Sequence, residues 1–218
     1  MMSTTGDGRG AALSLALVVT VAASAIPGWS LLVRAWNADV LGLQSLPWPV
    51  VRSFALLAVG LVLALPTRER SGVRLGSIRE HRRAVLLVCG LPVLATALVY
   101  PLLPVRPFAS GYRTMWAVSP LAQQLVFTGF IYGLLEPHFS AFVHPRVRVR
   151  RALVLSTLLW GLWHVPNFAT MSTGYVWFQL FYTGVLGIVP ALSRQWTGSI
   201  LPAVACHTAV NFVAWATS

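Results

Sequence analysis

The stretch ILPAVACHTAVNFVAW, residues 200–215, decides how this chain is read. It holds no charged residue, yet His207 and Asn211 stand four apart inside it. A second apolar stretch, LLWGLWHVPNF at 158–168, carries His164 in the same way, and Gln123 and Gln124 interrupt a third. A polar or ionisable side chain is expensive in hydrocarbon, so each of these residues is a candidate for function. His164, His207 and Asn211 also have a plainer reading as helix-to-helix hydrogen bonders.

The surrounding sequence says what kind of chain holds them. Its 218 residues are 56% hydrophobic and 10% charged, where soluble domains carry roughly 25% charged residues. A membrane span takes about 20 apolar residues. Seven runs qualify, near 11–36, 47–66, 84–104, 114–135, 152–171, 175–193 and 196–217. The expected fold is all-α: a polytopic transmembrane helical bundle of about seven spans, forming one domain over 1–218. Helices are the expected regular structure because lipid offers no partner to unpaired backbone groups.

A net charge of +11 would suit a nucleic-acid binder, but the positions of the charges argue otherwise. The basic residues are all arginines, and they gather in RERSGVRLGSIREHRR at 68–83 and PRVRVRR at 145–151. These are the second and fourth connections between spans, so they fall on one side of the membrane. By the positive-inside rule that side is cytoplasmic. The chain is then a multi-pass protein of the cell membrane with its N-terminus inside and its C-terminus outside. The arginines face anionic lipid, and no nucleic-acid partner is expected. Cys89 and Cys206 fall within spans and lack metal-ligand spacing, so they read as small packing residues; no metal or cofactor is expected.

Span direction then predicts depth. Gln124 lies about eleven residues from the cytoplasmic end of its span, His164 about twelve and His207 about eleven, which is roughly 16–18 Å in each case. Three helices thus bring polar groups to one layer near mid-membrane. Trp160 with His164, and His207 with Asn211, are four apart and share a helix face. A tryptophan stacked under His164 would restrain its ring. Asn167, just after Pro166, suits the backbone carbonyls that the proline frees.

In order and on separate helices, these residues resemble the motifs of the CAAX-protease and bacteriocin-processing (CPBP) family of intramembrane glutamic proteases. The family's Glu-Glu-x-x-x-Arg, usually followed by Gly-Phe, corresponds to Gln123-Gln124-Leu125-Val126-Phe127-Thr128-Gly129-Phe130. Its Phe-x-x-x-His corresponds to Trp160 through His164, and its His-x-x-x-Asn to His207 through Asn211. The similarity covers about 114–217. The resemblance implies a metal-independent endopeptidase acting on a membrane-associated peptide or protein, lipidated or not. In that scheme a glutamate, helped by the first histidine, activates water, and the second histidine with the asparagine steadies the oxyanion. Catalytic positions would be Gln123, Gln124, His164, His207 and Asn211, with Trp160, Thr128, Phe127 and Asn167 supporting them or contacting substrate.

The departures matter as much as the matches. Both family glutamates are glutamines here, the arginine is Thr128, and an amide accepts no proton at useful pH. Glu136, the nearest carboxylate to these motifs, lies about 18 Å further along the helix from Gln124. Two readings stay open: an inactivated chain of a proteolytic lineage, or a non-catalytic membrane scaffold of the same fold. A histidine-based transporter or metal binder is a weaker third, since two histidines and an asparagine are too few ligands for a closed zinc site.

Overall fold

A computed structural model of the chain describes residues 5–37, 48–102, 115–144, 146–169 and 172–217. Helices dominate: α1 (Thr5–Asn37), α2 (Trp48–Ala64), the short α3 (Arg68–Ser71) and α4 (Arg82–Val99), which tightens into a 3-10 turn at Tyr100–Leu102. Then α5 (Met115–Gln123) widens into a π-helical stretch, Gln124–Ile131, and closes as α6 (Tyr132–Leu135). After a hairpin, β1 (Phe142–His144) and β2 (Val147–Arg150), come α7 (Arg151–Leu162) and a 3-10 turn at Val165–Ala169. α8 (Thr173–Phe181) passes through a second π stretch, Tyr182–Leu186, into α9 (Ile188–Thr197), and α10 (Leu201–Ala216) follows.

Among the described residues three continuous helices are long and apolar enough to cross a membrane: Arg82–Leu102, Ala117–Leu135 and Thr173–Thr197. Gly8–Ser24, Ser53–Ala64 and Leu201–Ala216 are apolar but shorter. The residues around 104 and 114, where the third expected span ends and the fourth begins, lie outside the described residues. The fifth expected span departs most from expectation. Its helix stops at Leu162, because Pro166 has no N–H for the ladder and its ring crowds the preceding turn. His164 therefore sits in the turn after α7 and not halfway along a helix. Regular structure is also not helical throughout, since the fourth connection pairs as an antiparallel hairpin with Phe142 opposite Arg150.

The buried centre is built from Phe127, Ile131, Tyr132, Leu135, Leu153 and Trp160, with Ala12, Ala16 and Ala23 of α1 against it. Small residues on α1 allow close approach where lipid supplies no hydrophobic drive between helices. Gly129 and Gly133, four apart on one helix face, make a close contact with the short α3. A Cβ on Gly133 would lie 2.3 Å from the Arg70 carbonyl oxygen.

Both arginine-rich connections gather at one end of the bundle. Ser77 N donates to Thr197 O (2.9 Å) and Ile200 N to Gly72 O (3.0 Å). From the hairpin, Arg150 N donates to Gln195 Oε1 (2.9 Å). Arg194, buried at the same end, donates to the Arg70 carbonyl and lies over the Tyr132 ring, 5.3 Å from its centre. Glu136 is engaged there too, accepting from Tyr132 Oη (3.1 Å) and pairing with Arg150.

Candidate active site

Gln123 and Gln124 straddle the junction at which the α-helix opens into the π stretch. A π turn adds a residue to the helical repeat and reorients the side chains around it, which is why such turns recur at functional sites. Here it sends two neighbouring glutamines to different partners. Gln123 Nε2 donates to Ser119 Oγ (2.8 Å), and Gln123 Oε1 accepts from Trp160 Nε1 (2.7 Å). Indole N–H can only donate, so the amide oxygen must face Trp160. Gln124 Nε2 reaches His207 Nδ1 on α10 at 3.3 Å, while its buried Oε1 has no hydrogen-bond partner.

The two histidines are held in opposite senses. His164 Nδ1 lies 3.1 Å from Trp160 O and 3.4 Å from Thr183 Oγ1. The Thr183 hydroxyl spends its proton on Gln179 O (2.7 Å), so both neighbours of Nδ1 are acceptors. Nδ1 of His164 therefore carries a hydrogen. At His207 the Gln124 amide donates to Nδ1, which puts the ring hydrogen on Nε2. Nδ1 thus donates in one imidazole and accepts in the other.

Trp160 ties them together. Its ring packs on His207, centres 5.1 Å apart and tilted by 57°, while its own carbonyl takes His164. The expected stack of Trp160 under His164 is not what forms, because His164 lies beyond the helix end. Trp163 meets His164 edge-on instead, at 4.8 Å, and donates its Nε1 to Ala23 O (3.1 Å). Phe127 backs Trp163 at 6.0 Å. Thr128 is buried in the π stretch. Asn167 Nδ2 donates to the Gln179 side chain (2.9 Å).

Glycines bring α8 and its π stretch this close. A Cβ on Gly161 would sit 2.9 Å from Gly184 Cα, so the two backbones touch where any side chain would part them. That contact delivers Thr183 to His164. Thr183, Gln179 and Ser119 were not among the residues expected from the motifs. Their signal was the one used for the histidines, polar residues inside apolar runs, with Gln179 and Thr183 four apart on one face.

A cavity of about 110 Å³ opens beside these groups, lined by Trp160 and His207 together with Leu91, Pro92, Ala95 and Tyr182. Of the expected site residues only Trp160 and His207 line it. Gln123 and Gln124 connect to it through those two side chains, and His164 through the Trp160 carbonyl. Asn211, half-buried one turn beyond His207, has no side-chain hydrogen bond among the described residues and lies outside the lining. Among the described residues no three His, Cys, Asp or Glu side chains gather as they would around a metal ion.

This arrangement occupies the part of the sequence that a family model matches. Residues 106–213 fit the model described as Type II CAAX prenyl endopeptidase Rce1-like. The second half of the chain belongs to that family. No curated protein and no solved structure gives a significant match to the chain. The family is one of proteases, consistent with the resemblance to CAAX-protease and bacteriocin-processing proteins, and it fits a helical membrane protein.

Proposed function

We propose that this chain carries the peptide site of an intramembrane endopeptidase of the CAAX-protease type, with both glutamates of that site replaced by glutamine. It binds a stretch of a membrane-associated protein far better than it cuts it. The observation that carries this reading is that Trp160 links the two histidines, its ring packed on His207 and its carbonyl accepting from His164 Nδ1. In a competent form one imidazole would assist the base that takes the proton of attacking water and the other would donate to the developing oxyanion, the division of labour that hydrolysis needs. What is missing is a carboxylate to complete the base. Gln124 Oε1, buried without a partner, is where one oxygen of a glutamate would stand.

In this reading the chain crosses the cell membrane about seven times, with the arginine-rich end cytoplasmic, the N-terminus inside and the C-terminus outside. Both basic connections lying at one end of the bundle support that orientation. A scaffold of the same fold is the second reading. It is favoured by Thr128 standing where the family has arginine.

The experiment is restoration. Gln123→Glu, Gln124→Glu and the double replacement are reconstituted in liposomes with a membrane-anchored peptide. A positioned general base is worth about 10²–10⁴ in rate, so at least one variant is expected to cleave about a hundredfold faster than the parent. His207→Ala on that background should abolish the gain. No cleavage from any of the three would overturn the protease reading, and a stable partner co-purifying without proteolysis would favour the scaffold.

A further inference from the structure

At the start of α4, Arg79, Arg82 and Arg83 line an open recess of about 320 Å³ together with Glu80 and His81. None of the three arginines forms an ion pair among the described residues. Three positive charges against one negative leave the recess with a surplus of two. Directly below it the outward face of α4 is apolar. Leu87 is 69% exposed, Leu91 57%, Leu94 57% and Leu98 64%. With Arg83 these residues follow one another at intervals of four, four, three and four, so they share one helix face. Leu94 stands about 16 Å along the axis from Arg83, close to the roughly 15 Å hydrocarbon depth of one leaflet.

A cationic recess at the head of an exposed leucine stripe one leaflet long matches the shape and polarity of a single phospholipid. We infer that this face of α4 binds a phospholipid of net negative headgroup. Its phosphate is held by Arg79, Arg82 and Arg83, and an acyl chain lies along Leu87, Leu91 and Leu94. The surplus charge selects the headgroup. A zwitterionic lipid brings its own cation to the recess and gains little there, whereas an anionic one neutralises it. The stripe selects a lipid over free phosphate, which has nothing to place on the leucines. Leu91 also lines the cavity beside His207, so the acyl chain passes the mouth of the candidate site.

The test uses the full chain in nanodiscs, with Leu94→Trp as reporter and the parent chain as background. Quenching of the added fluorescence by brominated phosphatidylglycerol is compared with brominated phosphatidylcholine at equal mole fraction. The anionic lipid should associate about tenfold more strongly, given the free energy of each uncompensated arginine at a membrane surface. Replacing the three arginines (Arg79→Gln, Arg82→Gln, Arg83→Gln) should remove the preference. A charge-matched control on the hairpin side (Arg146→Gln, Arg148→Gln, Arg151→Gln) should retain it, and so should millimolar inorganic phosphate. Equal quenching by the two lipids overturns the proposal, and that comparison needs no arginine variant to insert. Equal loss in both triple variants overturns it in favour of general surface charge. Displacement by inorganic phosphate overturns it in favour of a free-anion site.

Discussion

Two helices of similar length behave oppositely. Arg82–Leu102 is the more apolar, and only 17% of its most apolar window is buried. Ala117–Leu135 is the less apolar, with 72% buried. In water the burial would run the other way, because apolar surface leaves solvent and polar side chains stay in it. Here the outer helix turns leucines outward while the inner one holds Gln123, Gln124 and Thr128. The inversion is what lipid as solvent demands. Hydrocarbon accepts leucine freely, and the interior is the only place at that depth where an amide finds partners.

That contrast predicts how substitutions rank. Gly133→Val, on the inner helix, should be the most damaging, since its Cβ alone would come within 2.3 Å of the Arg70 carbonyl oxygen. Overpacking of this kind costs about 1–3 kcal/mol or more. Thermal unfolding in detergent should show a clear drop in midpoint, and an unchanged midpoint would mean that α3 does not seat against this helix. Trp160→Phe comes next. It keeps the ring but leaves Gln123 Oε1 without its donor in a buried setting, a loss of about 1–3 kcal/mol. On a glutamate-restored background the same change should also lower turnover, because the smaller phenyl ring covers less of His207 than the indole does. Gly90→Ala on the outer helix should do least. Nothing lies within 4 Å of a Cβ there, and the helix-propensity gain is at most about 1 kcal/mol. Should Gly90→Ala destabilise as much as Gly133→Val, the division into lipid-facing and site-bearing helices fails.

The site was legible to the extent that polarity inside apolar runs marks it. Gln124 and His207 could be singled out because each stands among residues that have no other reason to tolerate it, and their side chains meet. His164 was marked by the same signal, but the helix expected to continue past it stops at Leu162, since residues 152–171 read as one apolar run and hydropathy does not register where Pro166 ends the ladder. The bond from Asn167 to Gln179, twelve residues away, had no signal in the sequence. Asn211 shares a helix face with His207 yet has no side-chain hydrogen bond among the described residues; spacing of four sets a side and not a partner. The hairpin at 142–150 was hidden because arginine alternating with valine in a connection also reads as a topology signal.

Composition and the placement of charge were enough to establish a helical membrane protein, because the free energy of moving residues between water and lipid is a sum over side chains and does not depend on arrangement. The family too could be read from residue types at fixed intervals. Tertiary structure alone decided which nitrogen of each histidine holds the hydrogen, since that follows from whether the neighbouring atom is a carbonyl, a hydroxyl already committed elsewhere or an amide. It also decided that Thr183 would be one of those neighbours. That pairing depends on Gly161 and Gly184 letting two backbones touch, a steric condition between segments some twenty residues apart that no local pattern encodes.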